Sequence, residues 1–304
     1  MGDFKVHVLG CASAKPNPVH NPSCTVVDYR SNLFMVDCGE GAQQQFQRMH
    51  LKFSRLSHIF LTHLHGDHVL GLPGLTGTLA LSNLQETLTI HTTEEGADML
   101  RTIFGYFNRD TTLQVVFDTF NAQKEEVIFE NKSLRVKTIP LQHRVPTVGY
   151  IFEEKEKPRH IRRDALERYN VPFSQINNLR AGRDYVDQNG ILIPNSELTA
   201  EPTPSRSYAH IGDTRYMPSL TGKVKGVDLL FHETTYLKEN EAEARQRFHS
   251  TAAQAAAIAR DAAVGRLLTG HYSSRYRNDR LFLEEARAIF PETILGTEGL
   301  TLEI

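Results

Sequence analysis

The run Thr62-His63-Leu64-His65-Gly66-Asp67-His68 places four candidate metal ligands within six residues, directly after the apolar stretch Ser57–Leu61. That stretch reads as a buried strand. Alternate residues of a strand share a face, so a strand end sends His63 and His65 to the same side. Gly66 permits a sharp turn. Asp67 and His68 then reach a second point close by. Neutral imidazoles and a carboxylate suit zinc. The plain alternative is a surface loop that happens to be rich in histidine, but the pattern H-x-H-x-D-H is much rarer than any single histidine.

One such motif cannot complete two metal sites, and later strand ends supply the remainder. His143 follows the strand-like Leu134–Ile139 in LQHRVPTVGY, Asp213 follows Ser207–Ile211 in HIGDT, and His271 follows Arg266–Thr269 in TGHYSSRY. Loops that begin where strands stop are the usual place for sites on layered folds. With His63, His65, Asp67 and His68 these make seven ligands, enough for two ions that share one carboxylate. Asp213 is the natural bridge, because a carboxylate has two oxygens.

The rest of the chain places this cluster in an α/β protein. Phe4–Leu9, Cys24–Tyr29, Leu33–Val36, Leu113–Asp118, Val148–Glu153, Val227–Phe231 and Leu300–Ile304 read as further strands. Gly41–His50, Glu94–Phe107, Thr251–Ala263 and Leu281–Phe290 read as helices, with Ser250 or Thr251 as a cap for the third. Sheet material in both halves predicts a layered arrangement. Residues 157–206 break the pattern, with five prolines and no clean periodicity. Fifty such residues are too many for a plain connection and predict an inserted arm. Within it, Asn189-Gly190 reads as a hairpin turn.

Composition narrows the partners. The 304 residues are 40% hydrophobic and 23% charged, with a net charge of −2, which disfavours a protein that coats polyanions generally. No stretch approaches the roughly 18–20 apolar residues of a membrane-spanning helix. The start lacks the plan of a secretory signal. Three cysteines, Cys11, Cys24 and Cys38, form no spaced framework, so a reducing, cytoplasmic setting is expected.

His63–His68 resembles the signature of the metallo-β-lactamase fold. Finer blocks resemble the ribonuclease Z family, endonucleases that trim the 3′ end of precursor tRNA. They are Leu9–Ser13, Asp37-Cys38-Gly39-Glu40-Gly41-Ala42-Gln43, Ser54–Gly74, His143–Tyr150, Phe231–Thr234 and His249-Ser250-Thr251, and their order extends over nearly the whole chain. The resemblance implies a four-layer αββα sandwich with the metals at one edge and a protruding arm. It implies two zinc ions per subunit: one on His63, His65 and His143, the other on Asp67, His68 and His271, with Asp213 bridging. Asp67 is the implied general base and His249 the implied proton shuttle. Hydroxide held by the ions would attack the phosphodiester and leave a tRNA 3′-hydroxyl and a trailer 5′-phosphate. A homodimer is implied as well, in which the arm of one subunit grips the tRNA that the other cuts.

Lys157–Arg183 carries seven basic against two acidic residues, and Arg159, Arg162, Arg163, Arg180 and Arg183 are the candidate RNA contacts. A solvated charged face is the plain alternative. The sequence departs from the family pattern in two places. The arm lacks a Gly-Pro pair, and in the first loop Asn17 stands for a threonine and His20 for an arginine. These changes bear on the grip on tRNA and on whether a CCA end blocks cleavage. A competing reading keeps fold and metals but makes the substrate a small phosphodiester, sulfate ester or lactone. A silent nucleic-acid-binding module is disfavoured, because all seven ligand positions hold competent residues.

Overall fold

Neighbouring residues of the strand Cys24–Tyr29 face two different cores, and that alternation explains the layers. The computed structural model describes residues 4–15, 17–82, 87–107, 111 and 113–304. Val26 joins a cluster with Leu33, Met35, Ile59, Leu75 and Leu79, whereas Val27, fully buried, lies outside it. In the paired strand Asn32–Val36, Leu33 and Met35 belong to that cluster, while Phe34 packs on Phe129 and Phe152. Apolar residues on both faces are what a sheet covered on both sides requires.

Two seven-stranded sheets result. The first runs Thr301–Glu303, Phe4–Gly10, Cys24–Tyr29, Asn32–Val36, Leu56–Phe60, Thr87–Thr92, Gln114–Thr119. The second runs Thr293–Leu295, Arg266–Gly270, Leu229–Glu233, Ser207–Ile211, Thr147–Glu154, Leu134–Leu141, Val127–Glu130. Aromatic rings fill the space between them: Phe60 meets Tyr150 and Phe152 edge-on, with both centroid distances 5.5 Å. Helices Ala42–Arg48, Leu72–Ser82 and Glu94–Phe107 cover the outer face of the first sheet, and Ala252–Asp261 and Arg280–Arg287 pack on the second. The four layers are helix, sheet, sheet, helix, the αββα order that the family resemblance implies.

The chain forms two compact units. One compact unit comprises residues 1–129, 136–152 and 207–304, and holds the sandwich. The second comprises Glu130–Arg135 and Glu153–Arg206, so it begins earlier than Lys157 and recruits a second segment. It has a small core of Ala165, Leu179, Tyr185, Ile193 and Leu198. Short helices Arg163–Arg168, Ile176–Arg180 and Asn195–Leu198 build it, with a Tyr185–Val186/Leu192–Ile193 hairpin. Buried Glu154 takes hydrogen bonds from Arg206 and Lys157, joining the residues where this unit leaves and rejoins the chain.

Candidate metal centre

Strand ends of both sheets carry the ligand candidates. Thr62–His65 leaves the strand Leu56–Phe60, and Gly66–Val69 turns at once into a single helical turn that carries Asp67 and His68. His143 follows Leu134–Leu141, Asp213 follows Ser207–Ile211, and His271 follows Arg266–Gly270. Parallel pairing of the last two with Leu229–Glu233 between them brings their ends level. Asp213 and His271, 58 positions apart in sequence, therefore meet.

The structure brings all seven together in two groups. Ligand atoms of His63, His65, His143 and Asp213 lie within 4.8 Å of one another, as do those of Asp67, His68, Asp213 and His271. Asp213 serves both, one oxygen to each. Its Oδ2 lies 3.8 Å from Nε2 of His63 and of His143. Its Oδ1 lies 3.1 Å from Nε2 of His271 and 3.6 Å from Nε2 of His68.

Neighbouring side chains fix which nitrogen of each ring faces inward. His68 Nδ1 lies 2.7 Å from Asp37 Oδ2, His271 Nδ1 2.8 Å from Thr235 Oγ1, and His143 Nδ1 3.0 Å from the Phe248 carbonyl. A carbonyl only accepts, so His143 Nδ1 carries the hydrogen and its Nε2 presents a lone pair. That lone pair converges with His63 Nε2 on His65 Nδ1, at 3.2 and 2.9 Å. Outer partners of this kind orient metal-binding imidazoles. Asp37, Phe248 and His271 have φ of 57°, 61° and 62°, left-handed values that cost energy for residues with a side chain. Backbone strain of this kind gathers at functional sites.

The residues present fit a pair of divalent cations. His68 Nε2 and Asp213 Oδ1 are buried and, among the described residues, have no hydrogen-bond partner. A buried polar atom without a partner is costly, and both atoms point at the place a cation would occupy. The electrostatics agree. Burial opposes charge on His68, yet Asp37 and Asp213 push its pKa well above the ordinary value. Burial would raise the Asp67 pKa, but the His271 and His68 imidazoles beside its carboxylate hold it far below the carboxylate range. Asp213 is likewise held low against its burial, by His271 and His68. Negative charge is thus in surplus where cations would sit.

His249 stands at the rim of this group. Its Nδ1 lies 2.9 Å from Glu233 Oε1, and Glu233 also accepts from the amides of Thr214, Thr235 and Ser250. Burial works against its charge, but Glu233 outweighs it and lifts the His249 pKa to about 9. A pocket of about 230 Å³ is lined by His249, five of the seven metal candidates (all but His63 and His68), Arg144, Arg247 and the first-loop residues Ser13–Lys15.

Sequence reasoning reached the supports only in part: the family resemblance placed His232-Glu233 near the site. Asp37 and Glu233 were visible only as members of family blocks, and Thr235 and the Phe248 carbonyl had no signal, since tertiary contact alone assigns their roles. Of the five candidate RNA contacts, Arg162, Arg163, Arg180 and Arg183 are exposed. Arg159 is committed elsewhere: its guanidinium makes two hydrogen bonds to Glu201, at 2.9 and 2.7 Å, and a third to Thr199. Over Glu153–Arg206 basic and acidic residues balance, nine of each, so the positive charge is local to Lys157–Arg183.

A four-layer sandwich with this cluster at its edge has the metallo-β-lactamase fold. Residues 193–272 match the family described as Beta-lactamase superfamily domain, and residues 4–157 match that described as Anti-Pycsar protein Apyc1. Ribonuclease Z of Phocaeicola vulgatus is 45% identical, over 100% of this chain and 98% of its own. Ribonuclease Z of Porphyromonas gingivalis is 45% identical, over 100% of both chains. Among solved structures, human tRNase Z, short form, superposes with a TM-score of 0.71 at 22% identity, covering 99% of each chain, a likeness of fold. The chain belongs to the ribonuclease Z family.

Proposed function

We propose that this protein is a zinc-dependent endoribonuclease that removes the 3′ trailer of precursor tRNA. The observation that carries the reading is Asp213, whose two oxygens face two separate histidine groups in a chain that aligns end to end with ribonuclease Z proteins. His63, His65 and His143 would hold one ion, Asp67, His68 and His271 the other, and Asp213 both. When bound, two such ions supply Lewis acidity, an activated water and stabilisation of phosphate charge.

The chain's own groups do the rest. Asp67 stays ionised, so its carboxylate can take the proton of the attacking water. His249, charged through Glu233 and with Nδ1 engaged, has an Nε2 without a hydrogen-bond partner among the described residues, and it can give a proton to the departing 3′-oxygen. Lys15, Arg144 and Arg247 around the pocket attract the phosphate. Exposed Arg162, Arg163, Arg180 and Arg183 of the inserted unit are the proposed tRNA contacts, with Arg159 a support through Glu201 rather than a contact. Homodimer formation and a cytoplasmic setting belong to the same proposal. No helix among the described residues is long and apolar enough to cross a membrane.

Metal analysis tests the proposal. Purified protein should hold two zinc ions per chain, and chelation should abolish precursor cleavage, with zinc restoring it. Full cleavage by metal-free protein would overturn it.

A further inference from the structure

His20 makes a contact that neither the metal centre nor the inserted unit uses. It lies in the loop between the strands Phe4–Gly10 and Cys24–Tyr29, and its side chain is 11% exposed. Both ring nitrogens meet a carboxylate. Nδ1 lies 2.7 Å from Glu298 Oε2, and Nε2 lies 2.7 Å from Asp279 Oδ2. Ionised carboxylates only accept hydrogen bonds, so both nitrogens must donate, and the ring must be an imidazolium. Cys11 Sγ is 3.2 Å from Nδ1, and the Tyr272 ring stands edge-on with its centroid 6.4 Å away. Among the described residues these complete the groups facing the His20 ring.

The geometry points to His20 as a positioning residue: a charged clasp that fastens the substrate-lining loop to the C-terminal half of the chain. Glu298 holds both arms of the loop, through the amides of Cys11 and Asn21 as well as through His20. Asp279 holds the far side of the ring from the start of the helix Arg280–Arg287. The same loop carries Ser13–Lys15 into the wall of the metal-side pocket, and the Ser13 amide bonds to the carbonyl of Tyr272, the residue after His271. Moving the loop therefore moves the pocket wall and the Lys15 cation, without touching a ligand.

Charge accounting supports the clasp. Burial raises the pKa of Cys11 and of Tyr272 well above their ordinary values, so both are neutral and, among the described residues, the two carboxylates are the anions on the ring. Burial would lower the His20 pKa, but Glu298 and Asp279 raise it overall. A group whose folded pKa is raised contributes fully below its unfolded value, about 6.5, and loses that contribution as pH climbs through the folded value. The clasp is closed below pH 6.5 and opens as pH climbs through the raised value. Cys11, His20 and Glu298 could be taken for a third metal group. Their atoms are paired with one another and with backbone amides, whereas His68 Nε2 and Asp213 Oδ1 are left bare.

Nitrogen-detected NMR of the imidazoles in the full-length, zinc-loaded protein tests the clasp directly. At pH 7, both His20 nitrogens should be protonated, and the titration should sit above 6.5 and move down in Asp279→Asn. A bare nitrogen at pH 7 would overturn the proposal. This reading does not depend on the substrate. The functional arm rests on the RNA-cleaving reading. His20→Gln should cut precursor-tRNA cleavage by about 10- to 100-fold, the cost of a displaced wall, while zinc content and hydrolysis of bis-p-nitrophenyl phosphate stay at wild-type level. His20→Arg, a cation at every pH, should restore cleavage and remove the loss that follows rising pH. Unchanged RNA cleavage in His20→Gln, or equal losses on both substrates with zinc retained, would contradict positioning. A wild type that hydrolyses the small diester but never the RNA would instead sink the proposed function.

Discussion

Each inward-facing imidazole of the centre has a second nitrogen to satisfy, and what satisfies it decides its chemistry. Asp37 does this for His68 with a buried carboxylate that also binds the amide and hydroxyl of Thr62, at 2.8 and 2.9 Å. Asp37→Asn keeps the shape but can present an N–H to a nitrogen that needs an acceptor. Zinc affinity or cleavage should fall by about 10- to 100-fold, read by competition with a chromophoric chelator; wild-type affinity would contradict the role. Glu233 does the same for His249. Glu233→Gln should lower kcat for precursor cleavage more than zinc content. Equal losses would mean that Glu233 serves the metal instead. The ligands themselves were legible in the sequence, because H-x-H-x-D-H is local and rare. Of their supports, Glu233 was placed near the site only through the family resemblance, whereas Asp37 and Thr235 become supports only when separate strands pair.

At the scale of elements, legibility followed the strength of local signals. Helix Glu94–Phe107 and strand Cys24–Tyr29 have the ranges their periodicity indicates. Helix Leu72–Ser82 escaped, since its proline, two glycines and three threonine or serine residues mask an apolar face of Leu72, Leu75 and Leu79. Helix Ala252–Asp261 starts at Thr251, whose hydroxyl accepts from the Gln254 amide while the Gln254 side chain accepts from the Thr251 amide. Thr251→Ala should cost about 1 kcal/mol of stability, seen as a lower thermal midpoint; an unchanged midpoint would show that packing alone sets this end. In the inserted unit, burial would raise the Glu154 pKa, but Arg206 and Lys157 bring it down to about 2. A depressed carboxylate stabilises fully above its unfolded value, about 4.3, and the contribution is lost as pH falls through the folded value. Glu154→Gln should therefore loosen residues 153–206 at neutral pH, with faster amide exchange there than in the wild type. Equal exchange would contradict the staple.

Over the whole molecule, histidines between the sheets add an acid-sensitive term. His58 and His91 lie 3.0 Å apart, stacked with Phe60, and burial pushes their pKa values down to about 4 and about 3. Both are neutral in the fold and charge readily once unfolded near pH 6.5. Stability should decline from about pH 6.5 downward and level off near the folded values. His91→Leu should flatten that decline in chemical denaturation at several pH values; an unaltered slope would assign acid lability to other groups. The two-sheet architecture was legible, because apolar strands occur in both halves. The second segment of the inserted unit, Glu130–Arg135, was not, because nothing local ties it to residues far along the chain.

The measurement that bears most directly on the central claim is the mapping of products from one precursor tRNA. Zinc-loaded protein should make a single cut after the acceptor stem, leaving a 3′-hydroxyl on the tRNA and a 5′-phosphate on the trailer. Asp67→Ala should make none. Hydrolysis of bis-p-nitrophenyl phosphate with the RNA left intact would contradict the account and move the protein to small phosphodiester chemistry.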